Sequence, residues 1–114
     1  MNNYKQLGLA FANALINGEF DQAYSFLAQH LKTEYSPQLL RQRYETMVNY
    51  FLMPPSYCQV EVLMDDWAYP SKENADLVWI YVSINSDADG EAVTLIISEE
   101  QTHNAIRYIE WGRP

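Results

Sequence analysis

Leu77-Val78-Trp79-Ile80-Tyr81-Val82-Ser83-Ile84-Asn85 is the stretch on which the reading of this chain turns. Four of its residues are β-branched apolar and two are aromatic, a composition that favours a strand. Successive side chains of a strand point to opposite faces. Val78, Ile80, Val82 and Ile84 therefore share one side, and Leu77, Trp79, Tyr81 and Ser83 the other. Neither set is polar, so both faces need cover. The run reads as the central strand of an antiparallel sheet, with helices on one face and a second subunit on the other. With Trp79 under the helices, Trp79→Ala should cost about 3–5 kcal/mol. With Trp79 outside, the β-branched set takes that place.

The segments downstream and just upstream keep the period of two. Tyr57 to Met64 sets Val60, Val62 and Met64 against Gln59, Glu61 and Leu63. Asp65 to Pro70 either extends that strand or bulges away, and residues 71–74 form a polar turn. Ser86-Asp87-Ala88-Asp89-Gly90 reads as a hairpin loop, with Gly90 suited to positive φ. Glu91 to Ser98 is the return strand, Glu99 to Asn104 a second loop, and Ala105 to Gly112 the last strand.

Before Met53-Pro54-Pro55-Ser56 the period is 3.6 instead. Residues 2–17 carry the helical stripe Tyr4, Leu7, Phe11 and Leu15, closed by Asn17-Gly18, where glycine can take the left-handed cap conformation. A second helix is expected from Asp21, as N-cap, to Leu31. Ser36-Pro37 opens a third, serine as N-cap and proline at the first helical position, bearing Leu40, Tyr44, Met47, Val48 and Phe51. The expected architecture is α+β: three N-terminal helices on a curved, mainly antiparallel four-stranded sheet, in a single domain spanning 1–114.

Composition narrows the function classes. The net charge is −8, with seven basic residues scattered along the chain, so nucleic acid and anionic membrane surfaces are unsuited as partners. Nine Tyr and three Trp suit interfaces and pocket linings, each offering apolar area with one polar handle. Cys58 is the single cysteine, which excludes an intrachain disulfide and fits a reducing cytoplasm. Lys5 followed by Leu7-Gly8-Leu9-Ala10-Phe11-Ala12 has the look of a short signal peptide. The helical spacing of Tyr4, Leu7, Phe11 and Leu15, and Asn13 within the apolar run, favour a retained first helix. No run is long enough to span a membrane.

Asn17-Gly18-Glu19-Phe20-Asp21-Gln22-Ala23-Tyr24-Ser25-Phe26-Leu27 resembles the Gly-x-Phe/Tyr-Asp-x-Ala-x-x-Leu opening of nuclear transport factor 2-like domains, the cystatin-like group that includes ketosteroid isomerase relatives. The Ser36-Pro37 helix start and the closing Arg107-Tyr108-Ile109-Glu110-Trp111-Gly112 strand resemble that group too. The resemblance implies a sheet curved around the helices as a cone, with a pocket at its open end. Members include isomerases, dehydratases, polyketide cyclases, transport factors, accessory domains and toxin-immunity proteins, so fold alone does not select a function. The isomerase and cyclase branches use an Asp base with Tyr or Asp donors, or a His–Asp pair. The candidates here are Asp65, Asp66, Glu61, Glu110, His30 and His103.

Asp65-Asp66-Trp67 is the most site-like cluster. A carboxylate beside an indole in a dry cleft would have a raised pKa and could act as a base; a polar strand end turning into a loop is the plainer account. Arg107 alternates onto the side of Ile109 and Trp111, where burial would demand a carboxylate partner or an anionic ligand; an edge-exposed Arg107 is the plainer account. Asp87 to Glu91 echoes part of a calcium loop without its remaining ligand positions. No zinc pattern, phosphate loop or nucleophile elbow occurs, so no metal or cofactor is expected. Cys58 has no neighbouring base and reads as structural.

The expected function is therefore non-catalytic: a small binding domain using the cone pocket, an exposed sheet face, or both. The candidate lining is Tyr44, Met47, Trp67, Trp79, Tyr81, Arg107 and Trp111, for a small apolar or anionic ligand. An isomerase-, dehydratase- or cyclase-type enzyme with an acid–base carboxylate is the alternative, and an acidic immunity-type protein neutralising a basic toxin is a third. The two apolar faces of the central strand add a further expectation, a homodimer through the open sheet face.

Overall fold

The change of period at the double proline divides the molecule into a helical half and a sheet half. The computed structural model describes residues 3–113. Its elements run α1 (Asn3–Ile16), α2 (Phe20–Ser25), α3 (Gln29–Lys32), α4 (Pro37–Val48), β1 (Tyr57–Met64), β2 (Asp76–Asn85), β3 (Gly90–Glu100) and β4 (His103–Trp111). The four strands form one antiparallel meander in the order β1-β2-β3-β4. Helices followed by an antiparallel sheet make this an α+β fold.

The β-branched face of β2 is the inner one. Val78, Ile80, Val82 and Ile84 are buried, with Val93, Leu95 and Ile97 of β3 beside them and Phe11, Leu15, Leu27 and Leu40 above. The helix side comes very close at Gly8, where a Cβ would stand 2.9 Å from Ile80 Cδ1 and 3.4 Å from Val82 Cγ2. Placing Trp79 beneath the helices is thus overturned. Bulky Trp79 and Tyr81 would keep α1 off the sheet, whereas the shorter side chains admit it.

The second helix is two short ones. Residues 26–28 leave the helical ladder to pair with the outer edge of β4. The Ala28 N–H donates to the Ile106 carbonyl at 2.7 Å, and the Ile106 N–H to the Phe26 carbonyl at 2.9 Å. An open strand edge has unpaired donors and acceptors, and satisfying them here outweighs continuing α2. Asp21 is not the N-cap; Glu19 holds that position, without a side-chain hydrogen bond. The remaining punctuation follows ordinary local rules. Gly18 has φ +74°, and Ser36 Oγ accepts the Leu39 N–H at 3.1 Å. α4 ends at Val48, a turn before Phe51. The second loop shrinks to Gln101-Thr102, with Gln101 at φ 57°. Gly90 lies at a strand start without a positive φ, contrary to the expected left-handed turn, and a Cβ there would meet only the movable tip of Asn85, Oδ1, at 2.9 Å. Ser36→Ala should lower stability by about 1 kcal/mol, since the Leu39 donor loses its partner. A urea midpoint unmoved from wild type would show that water replaces the cap at no cost.

Three register shifts redistribute side chains. Glu61 is an extra residue in β1, so Val60 stays inside while Val62 and Met64 turn outward, against simple alternation. Leu77 is extra in β2 and Arg107 in β4. A bulge re-aims the side chains beyond it. Arg107 consequently joins Tyr108 on the outer side, away from Ile109 and Trp111.

Candidate functional site

The outer face of the sheet is built of cross-strand rows. Met64, Trp79, Ile96 and Tyr108 form one; Val62, Tyr81, Thr94 and Glu110 form the next. Ile96, Thr94 and Ala92 on β3 are buried although no helix covers them, because larger side chains of the flanking strands close over that floor. Trp79 and Tyr81, two residues apart on β2, lie with their rings nearly parallel, 6° between planes and 6.2 Å between centroids. Both are half-buried. Val62 beside them is 43 % exposed. Burial pushes the Tyr81 and Tyr108 phenols above their ordinary pKa.

At one end of this face lies a polar knot. Asp76, whose side chain is fully buried, takes a two-point bond from Arg107, Nε to Oδ1 and Nη2 to Oδ2, each 2.6 Å. The Ser98 hydroxyl donates to Oδ1 at 2.6 Å and the Glu73 N–H to Oδ2 at 2.8 Å. Burial alone would raise the Asp76 carboxyl. The bonds from Arg107, Ser98 and Glu73 outweigh it and hold the group below the usual aspartate value. The same pairing raises the Arg107 guanidinium further. Arg107 Nη2 also donates to the Ser71 carbonyl, tying the 65–75 loop to the sheet. Every oxygen of Asp76 is committed, so this knot is structural.

The sequence candidates are thus dispersed. Trp79, Tyr81 and Arg107 are on the outer face. Trp67 sits in the 65–75 loop, its indole N–H on the Pro70 carbonyl at 2.8 Å and Lys72 over its ring. Asp65 and Asp66 are exposed in that loop; Asp66 accepts the Trp67 N–H at 3.0 Å. Glu110 is exposed on β4, and Glu61 accepts the Ser83 hydroxyl at 2.7 Å. Tyr44 packs into the core, where burial, with Glu45 adding, pushes its phenol up to about 12. Met47 and Trp111 meet at a groove beside α4. His30 and His103 are exposed, His103 facing Glu100 at 3.7 Å. Burial raises the Cys58 thiol. Asp89 of the calcium-like stretch accepts the Leu52 N–H at 2.9 Å, and Ser86 Oγ caps the turn.

Among the described residues no cluster of three or more His, Cys, Asp or Glu is placed to hold a metal, and no helix is long and apolar enough to cross a membrane. The places of Asp76 and Tyr108 on the outer face were not legible in the sequence. Asp76 and Arg107 are 31 positions apart, beyond any local pattern. No family model matches this chain, and no curated protein or solved structure matches it.

Proposed function

We propose that this chain is a nuclear transport factor 2-like binding domain whose working surface is the outer sheet face, and that it pairs there with a second copy of itself. The observation carrying this reading is the stacked Trp79–Tyr81 pair, half-exposed among Val62, Met64 and Tyr108 on a floor of buried Ile96 and Thr94. Aromatic residues at the centre of an apolar patch are the usual anchors of protein interfaces, and a sheet face suits a two-fold contact. The order of helices before a strand meander supports the family reading. The space between helices and sheet is filled by Phe11, Leu15, Leu40 and their neighbours, which favours binding at the surface over chemistry inside a cone. The carboxylates Asp65, Asp66 and Glu110 are exposed, and that favours the same reading. Reducing thiol chemistry of the cytoplasm remains the compartment this single-cysteine chain suits.

Light scattering at micromolar concentration tests the pairing. Wild type should scatter as twice the 13.3 kDa chain mass. Each copy bears −8, so moderate salt should tighten the pair by screening repulsion. Trp79→Glu should give a folded 13.3 kDa particle. A wild-type monomer at every concentration and salt would overturn the pairing.

A further inference from the structure

We propose that the groove between α4 and the adjoining ends of β3 and β4 binds a small organic monoanion with an aromatic or aliphatic body. The groove is open to solvent on one side and offers about 600 Å³, within the roughly 300–1,000 Å³ of small-ligand sites. Leu39, Arg43 and Met47 recur every fourth residue along α4, which stacks them on one stripe of the helix, and all three line the groove. Trp111 faces them from the end of β4. Its indole N–H donates to the Tyr35 hydroxyl at 2.8 Å, with the two rings 6.4 Å apart. The indole is therefore held in place with its polar atom satisfied, and it offers the groove ring surface.

The charges select the ligand's sign. Glu91 also borders the groove, but its carboxylate is already engaged. It accepts the Tyr50 hydroxyl at 2.8 Å and the Arg113 N–H at 3.1 Å, lies 3.9 Å from the Arg113 guanidinium, and its side chain is only 15 % exposed. Arg43 is in the opposite state. Arg41, Arg107 and Arg113 each face a carboxylate, whereas Arg43 has no hydrogen bond or ion pair among the described residues. Arg43 is exposed at a groove whose lining mixes Leu39, Met47 and Trp111 with the polar Gln42 and Thr46, and an unpaired guanidinium so placed is a ready fork for a carboxylate, sulfonate or phosphate. The overall charge of −8 opposes anions in general, so a single charge held at Arg43 with an apolar body against Leu39, Met47 and Trp111 is the fit. This groove is apart from the outer sheet face, and the inference stands independently of the pairing proposed there.

Two fluorescent probes separate charge from apolarity in the full chain: 1-anilinonaphthalene-8-sulfonate, and N-phenyl-1-naphthylamine, the same ring system without the sulfonate. Wild type should bind the sulfonate about tenfold tighter than the neutral amine. Arg43→Gln should abolish that preference and leave the amine unchanged. Met47→Asp should weaken both, and Trp79→Ser neither. The inference is overturned by no saturable binding of the sulfonate, by sulfonate affinity indifferent to Arg43→Gln, or by its loss in Trp79→Ser. The last outcome would place the probe on the sheet face and leave the reading of that face intact.

Discussion

Asp76→Asn should cost about 3–5 kcal/mol, because it leaves the Arg107 charge without its counter-ion in a largely dehydrated site. The Arg107 side chain is 12 % exposed and that of Asp76 not at all. Glu73, 3.5 Å from Arg107 and 66 % exposed, is too well hydrated to replace the lost carboxylate. Domains of this kind have roughly 5–15 kcal/mol of stability in total, so the loss would show as a large fall in the urea midpoint. Replacing both partners, Asp76→Leu with Arg107→Met, should recover only part of it, since it removes the unpaired charge but leaves the Ser98 hydroxyl and the Glu73 N–H without their acceptor. The pH dependence has a definite sign. Asp76 has a folded pKa below its unfolded value, so its contribution is complete above the unfolded aspartate pKa of about 3.9 and fades as pH falls through the lower folded value. Wild type should lose stability in that acid range, and Asp76→Asn should lose correspondingly less. A wild-type midpoint flat down to the folded pKa, or a cost under about 1 kcal/mol for Asp76→Asn, would show the pair to be solvated.

Phe11→Ala should cost a similar amount, about 3–5 kcal/mol. Phe11 is fully buried one turn after Gly8, the residue where α1 comes within van der Waals reach of Ile80 and Val82. Because the helix backbone is seated so close there, it has little room to sink further into a void. The cavity therefore stays open, and its cost adds to the lost transfer energy. Phe11→Leu, nearer in volume, should cost under about 1.5 kcal/mol and keeps the test readable if the alanine variant does not fold. Equal midpoints for the two variants would mean that the helix collapses onto the space, contrary to rigid seating.

The residues that chemistry would draw on were visible singly, and their grouping was not. Trp79, Tyr81, Met47 and Trp111 stand out as aromatic or apolar residues in regular elements. Which of them meet depends on the bulges at Glu61, Leu77 and Arg107, and an inserted residue leaves no mark in local composition. The expected single lining is in fact divided between the outer face, the core, the α4 groove and, for Trp67, the 65–75 loop.

By itself the sequence determined the α+β order, the strand limits within a residue or two, the Ser36 cap and the Gly18 turn. These depend on periodicity, proline and side chains that bond their own neighbours, interactions that span a few residues. Tertiary structure alone decided which apolar face of β2 lies inside, since both alternating sets are hydrophobic and only the approach of α1 at Gly8 discriminates between them. It also broke the second helix, because the edge of β4 needed hydrogen-bond partners that residues 26–28 supply. And it joined Asp76 to Arg107 across 31 positions, a pairing that exists only once the strands have brought two charges into the same low-dielectric space.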